Sequence, residues 1–253
     1  MPCEILAQDE RIPRLLAHDQ IGCLTIAGEL ETARPGEIKL FIDDPERPRG
    51  LLIRNYWVKL CAEDESAVAE LLRALPGQEE FRFGAVAAWI RDRIARDWEI
   101  TWENPCWLYY LEPDSLREEL VQHEVSPLRP EDAPLVNRCW EHEDEETLGY
   151  VRWRIESGPS CAIFTGEGRS RRPLSWVLTH RDGAMGMMFT LPEARRRGYG
   201  RSVTIALARE ILRRGRIPFL YTFHSNLPAQ RMVEKLGFAR WGDYRYFDAR
   251  RRG

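Results

Sequence analysis

The 253-residue sequence lacks any apolar stretch near the ~18 residues that a membrane-spanning helix needs, and its N-terminus has no continuous hydrophobic segment of the secretory type. We therefore expect a cytoplasmic protein without a membrane partner. Paired cysteines are also missing. Cys3, Cys23, Cys61, Cys106, Cys139 and Cys161 are scattered, with no C-x-x-C pair and no His/Cys cluster. This argues against a disulfide framework and a zinc site, so no metal is expected and a reducing compartment is the default. Cys139 and Cys161 read as core fillers. Low-complexity tracts are absent, and 43% apolar content over this length suffices for one large domain or two small ones. A net charge of −3 speaks against general nucleic-acid binding, although arginines gather near residue 195 and just beyond it.

What is present centres on the stretch from Phe189 to Ser202. An apolar run ends in the Arg-rich loop Leu191-Pro192-Glu193-Ala194-Arg195-Arg196-Arg197-Gly198-Tyr199-Gly200, and an amphipathic segment follows. This predicts strand, loop and helix start. Gly198 and Gly200 let the backbone approach an anion, and the first helical turn supplies unpaired N–H groups and the positive end of a dipole. Arg195, Arg196, Arg197 and Arg201 add charge. After Gly200, Val203, Leu207 and Ile211 recur every four residues with Ala206 beside them, as on a helix packed against a sheet. Further on, Phe219 to Phe223 reads as a strand, Asn226 as an N-cap with Pro228 in the first turn, and Gly237 as the residue just past the helix end.

The pattern Arg-x-x-Gly-x-Gly, Arg195 to Gly200, resembles the pyrophosphate-binding signature of the GNAT superfamily of acyl-CoA-dependent N-acyltransferases. The segment from Asn226 to Lys235-Leu236-Gly237-Phe238 is similar to a second signature of that superfamily. The resemblance implies an α/β (α+β) fold, with a mixed, largely antiparallel sheet flanked by helices in the C-terminal half. It implies an acyl-CoA co-substrate held by Met188, Phe189, Thr190, Arg195, Arg196, Arg197, Gly198, Tyr199, Gly200, Arg201, Ser202 and Asn226. A narrower likeness, to glycine N-acyltransferases, lies in Ala133 to Trp140, Gly158 to Cys161, Pro173 to Trp176 and Thr190 to Glu193. It implies a small amine or amino acid as acceptor and an N-terminal, degenerate GNAT-like partner domain. We place the domains at 1–118 and 119–253, as a monomer or homodimer.

Along the first part, the pattern predicts a helix over Ile12 to His18, strands at Glu37 to Ile42 and Leu51 to Leu60, and helices over Ser66 to Leu75 and Ala85 to Ala95. A strand pair broken at Asn104-Pro105 is expected from Trp98 to Leu111. Glu112 to Ser115 marks the boundary. The second part should open with a strand at Glu124 to Leu128, then helices over Ala133 to His142 and Thr147 to Glu156. The acidic run Glu141 to Glu146 between these helices borders the acceptor site in the family and would attract a cationic amine. Strands at Ser160 to Thr165, Pro173 to Thr179 and Ala184 to Thr190 follow, the last two joined at Arg181-Asp182-Gly183. A last β pair runs through Tyr244 to Phe247.

Two family positions for proton transfer are vacant. A glutamate is expected after the hairpin glycine, where Gly183 is followed by Ala184, and a tyrosine is expected four residues before Gly237, where Val233 stands. The amine must shed a proton to attack the thioester. An α-amine, with a pKa near ~7.7–8.0, is already partly neutral at pH 7, so a weak base suffices for it. His224, after the strand Phe219 to Phe223, is the leading candidate because imidazole titrates in the right range. His180 and Asp182, expected to be exposed at the turn, are alternatives, and Tyr221 and Tyr244 are possible acids. Besides transfer, two readings remain open. One is a catalytically impaired CoA-binding regulatory protein, and the other is an anionic-partner surface on the arginines.

Overall fold

A computed structural model describes residues 1–34, 36–77, 80–140, 145–166 and 168–252. The chain divides into two compact units. One comprises Met1–Leu108, Thr222–Asn226 and Trp241–Gly253, and the other Tyr109–Tyr221 and Leu227–Arg240. The elements run β1 (Cys3–Ile5), α1 (Ile12–His18), α2 (Leu24–Thr32), β2 (Lys39–Ile42), β3 (Gly50–Arg54), β4 (Val58–Ala62) and α3 (Glu65–Leu71). Then come β5 (Glu80–Ala87), α4 (Ala88–Asp97) and β6 (Trp98–Tyr110). The rest is α5 (Ala133–Arg138), α6 (Glu145–Ser157), β7 (Ser160–Thr165), β8 (Arg172–Thr179), β9 (Met185–Thr190), α7 (Tyr199–Arg213), β10 (Phe219–Phe223), α8 (Leu227–Lys235) and β11 (Ala239–Arg251).

Among the described residues, one sheet has the order β1-β2-β3-β4-β5-β11-β6-β10 and the other β7-β8-β9. In the first unit, alternation along β3 separates two cores, as the two-residue side-chain period of a strand requires. Leu51 and Ile53 face Ile12, Leu15 and Ile26 of α1 and α2. Leu52 turns the other way, with Val68, Leu71, Ile90 and Ile94 of α3 and α4. Phe83 of β5 stacks on Phe247 of β11 with ring centroids 4.6 Å apart. In the second unit the three strands are antiparallel. Fully buried Trp176 of β8 packs with Val136, Val151 and Ile155 from α5 and α6. The amphipathic α7 packs on β7 and β8, burying Val203, Ala206, Leu207 and Ile211 as the sequence spacing required.

Several sequence expectations need correction. Leu51 to Leu60 is two strands, because Asn55 closes a turn: its Oδ1 accepts from Trp57 N–H at 2.8 Å and its own N–H donates to Trp57 O at 3.1 Å. The segment expected to be helical from Ala85 is strand through Ala87, since pairing with the distant β11 outweighs alanine's helix preference. Trp98 to Tyr110 is one unbroken strand, in which Pro105 keeps a carbonyl that accepts His224 N–H at 3.0 Å. Glu124 to Leu128 is not a strand and contributes a single bridge, Ser126 to Ala162. The final β pair is the single long β11, which lies between β5 and β6. Helix α2 had not been anticipated. The helix from Ala133 stops at Arg138, and residues 141–144 of the acidic run lie outside the described residues.

Candidate functional site

The site in the second unit begins on β9. Between the register pairs Leu178–Gly186 and Trp176–Phe189, β9 holds two residues, Met187 and Met188, against the single Val177 of β8. Met187 takes φ 49°, so the strand carries a β-bulge with a left-handed residue. Such a bulge turns backbone groups out of the ladder, and β9 is the outer strand of its sheet. Met188 is 38% exposed there, and its Sδ is 3.4 Å from Thr204 Oγ1. Ser175 Oγ and Thr190 Oγ1 lie 2.7 Å apart across the end of the same ladder.

After Thr190 the chain makes a short 3-10 turn, Pro192–Ala194, and enters the arginine loop. Ala194 is buried and anchors the loop, while Arg195, Arg196, Arg197 and Arg201 are exposed. Arg196 has φ 62° and Gly198 φ 81°, two left-handed residues that fold the backbone back before α7. Gly198 sits at the N-cap, and a Cβ there would meet Arg201 Nη2 at 3.2 Å. The first helical hydrogen bond, Ser202 N–H to Gly198 O, spans 3.2 Å. The preceding amides of Tyr199, Gly200 and Arg201 have no acceptor within the helix, as at any helix start. Thr190, Ala194, Arg195, Arg196, Gly198 and Gly200, with Met232 opposite, border a solvent-open hollow of about 440 Å³. A hollow with arginines, first-turn amides and the positive end of a 15-residue helix suits a diphosphate or similar polyanion.

Not every arginine is equally available to a ligand. Arg195 Nε donates to Thr190 O at 3.1 Å, and its guanidinium lies 5.6 Å from the Phe189 ring centre. At the far end of α7, Arg213 and Arg214 both bond Glu210, holding its carboxyl at about 2. Sequence reading missed the support behind the loop. His123 Nε2 lies 2.9 Å from Arg197 O, its ring meets Tyr199 edge-on at 4.6 Å, and Gln122 N–H donates to Ser202 Oγ at 3.2 Å. No local pattern marks His123, which reaches the loop across 74 residues.

The two vacant family positions are apolar and buried: Ala184 is 4% exposed and Val233 2%. Val233 O instead accepts Phe238 N–H while Glu234 O accepts Gly237 N–H, a Schellman closure of α8 that uses Gly237 at φ 97°. Tyr221 Oη is buried. His180 and Asp182 are less exposed than expected. Asp182 is 8% exposed, its Oδ1 accepting Ala184 N–H at 3.2 Å, and His180 is half-buried against β9.

His224 and Asn226 fall in the first unit. The His224 ring stacks on Trp107 at 4.2 Å, and Nε2 is 3.0 Å from Asp243 Oδ1. Burial alone would raise the Asp243 carboxyl, but Arg245 and His224 hold it below its usual value. Arg245 continues to Glu103 at 2.9 Å, and Glu103 to Arg91. Asn226 directly precedes α8, with its N–H on Phe223 O at 2.9 Å. Tyr244 is buried in this unit, which pushes its hydroxyl pKa far up and makes it a poor proton donor. No cluster of three or more His, Cys, Asp or Glu side chains able to hold a metal occurs among the described residues, and no described helix is long and apolar enough to cross a membrane.

Comparison with known proteins places this geometry. The family model described as FR47-like protein matches residues 161–247, from β7 into β11. A Drosophila protein of known crystal structure superposes with a TM-score of 0.77 at 15% identity, covering 98% of this chain and 97% of its own. A GNAT-family acetyltransferase from Colwellia psychrerythraea gives 0.59 at 12% identity, covering 98% and 99%. A tandem GNAT protein from the clavulanic acid biosynthesis pathway gives 0.58 at 11%, covering 98% and 97%. Over almost its entire length, the chain has the fold of the GNAT acetyltransferases.

Proposed function

We propose that the protein is an acyl-CoA-dependent N-acyltransferase whose donor is acetyl-CoA or a longer acyl-CoA, and whose acceptor is a small amine or amino acid. The observation that carries this reading is the sequence of parts along one strand and helix: the bulge at Met187, the left-handed Arg196 and Gly198, and the amides opening α7. Arg195, Arg196, Arg201 and the amides of Tyr199, Gly200 and Arg201 would hold the diphosphate. The turned-out backbone at Met187 to Phe189 would meet the thioester, where an N–H directed at the carbonyl oxygen stabilises the charge that develops there. Thr190, Arg197 and Ser202 complete that set, and Asn226 joins it by the family likeness alone.

On this reading 119–253 is the transferring domain and 1–118 a GNAT-like partner, in a cytoplasmic monomer or homodimer. The likeness of Ala133 to Trp140 and Thr190 to Glu193 to glycine N-acyltransferases favours an α-amine. Such an amine is already partly neutral near pH 7, which suits a site whose Ala184 and Val233 supply no proton acceptor or donor. Those same two side chains favour a second reading, a CoA-binding regulatory protein without turnover.

Thermal unfolding with CoA, acetyl-CoA and longer acyl-CoAs tests the shared part of both readings. At about 100 times the dissociation constant, a specific ligand adds about 2.7 kcal/mol, or roughly 5–10 °C for a chain of this size. A shift that grows with one acyl length names the donor. If none of the ligands raises the Tm, the hollow is not a CoA site. Release of free thiol on adding glycine and other α-amino acids then separates transfer from mere binding.

A further inference from the structure

We infer that His180, held by Tyr150 and seated on Gly186, accepts the amine proton in place of the absent carboxylate at position 184. The inference rests on the acyltransferase reading. The hairpin from β8 to β9 is closed by His180 N–H on Ala184 O at 2.8 Å and Gly183 N–H on His180 O at 3.0 Å. This turn folds the imidazole back over β9. The ring then occupies the space a side chain at 186 would fill, because a Cβ built on Gly186 would collide with His180 Nε2 and Cδ2. Gly186 immediately precedes the bulge residues Met187 and Met188, so the ring lies against the strand next to the backbone proposed to meet the thioester.

Other groups hold the ring. Tyr150 Oη of α6 accepts Arg181 N–H at 3.1 Å and lies 3.4 Å from His180 Nδ1. In the tautomer that donates Nδ1–H to that oxygen, the one the proposal requires, the lone pair resides on Nε2, the atom at the Gly186 notch. Trp140 packs against both rings, 5.9 Å from Tyr150 and 6.1 Å from His180. Charged groups around the turn include Arg181, buried Asp182, and Arg154, which is bonded to Thr179 beneath it. In the reaction the amine nitrogen bonds to the carbonyl carbon and the C–S bond breaks. The amine proton passes to Nε2 and from the imidazolium, by way of water, to the released thiolate, so amine and acyl-CoA give amide and CoA thiol and the imidazole is regenerated.

The test compares wild type, His180→Gln and His180→Ala with acetyl-CoA, using α-amino acids as acceptors and water as the slow alternative, and following thiol release against pH. The expected result is a fall of ~10²–10⁴ in kcat with KM for acetyl-CoA unchanged, and loss of the rising limb of the pH profile. Tyr150→Phe should shift that limb without abolishing turnover, which a purely structural role would not do. The acetyl-CoA shift in Tm confirms that each variant is folded. A kcat within threefold of wild type, with the same pH profile, overturns the role of His180 and leaves the acyltransferase reading intact. A wild-type chain that binds acetyl-CoA but releases no thiol to any acceptor overturns the role in favour of a binding protein. One that does not bind acyl-CoA overturns both.

Discussion

Two strand-to-helix passages in this chain start alike and end differently. In β5 Gly84 and Ala85 bulge, with Ala85 at φ 47°, and in β9 Met187 and Met188 bulge, with Met187 at φ 49°, each left-handed residue directly following a glycine. After the first bulge the strand passes straight into α4 at Ala88, with Ala87 as N-cap. After the second, residues 191–198 intervene before α7 and carry the arginines and Gly198. The flanks differ too: β11 lies between β5 and β6 in their sheet, whereas β9 is an outer strand. A bulge is therefore not enough to make an anion site. The cradle needs a loop long enough to hold left-handed residues and an outer strand edge, which β9 has among the described residues.

The largest expected effect comes from destroying the feature that only the second passage has. Gly198→Glu places a side chain at φ 81°, 3.2 Å from Arg201 Nη2, and adds a negative charge where the diphosphate is proposed to sit. The left-handed backbone costs about 1–2 kcal/mol, which the fold tolerates, but the acyl-CoA shift in Tm should vanish. Retained CoA affinity would show that the loop is a basic surface turn and that the comparison has no functional content.

The next largest effect separates the two glycines. Gly186→Ala drives a methyl into His180 and displaces the ring, so kcat should fall about as far as in His180→Ala, by ~10²-fold or more. At the matching position of the first unit, Gly84→Ala would meet Lys59 Cε at 3.3 Å and the Trp57 ring at 3.4 Å. Lys59 is buried and paired with Glu29 at 3.1 Å, so the cost there is in stability, on the order of 1 kcal/mol, with kcat unchanged. Equal kinetic effects in the two variants would break the distinction between the passages.

What the sequence disclosed about these passages follows from how far each feature reaches along the chain. The loop, the helix start at its glycines, the helix face of Val203, Leu207 and Ile211, and the closure at Gly237 are local, and the boundaries of α1, β7 and β10 agree with the pattern. The β5 bulge and the strand status of Ala85 to Ala87 depend on Phe247 and its neighbours, more than 150 residues away, and no window covers that distance. His123 was hidden for the same reason. His180 was misjudged because a hairpin turn is exposed by default, whereas here Gly186 leaves a notch that half-buries it. Pro105 suggested a strand break because it lacks an N–H, yet its carbonyl remains usable and bonds His224.

The smallest expected effect sharpens the comparison at the bulges themselves. Ala85 and Met187 share a left-handed backbone that glycine adopts without strain, but their side chains contribute differently. Ala85→Gly loses one buried methyl and relieves the φ 47° strain while adding freedom to the unfolded chain, so the terms nearly cancel and stability should stay within about 1 kcal/mol of wild type. Met187 is 9% exposed in the core beside Trp176, so Met187→Gly relieves the same strain but empties a side-chain volume at a cost of about 2–4 kcal/mol. Denaturant midpoints of the two variants check this. A destabilisation of Ala85→Gly as large as that of Met187→Gly would mean that the first bulge is held by more than its backbone, and the two passages would then be less alike than their dihedral angles suggest.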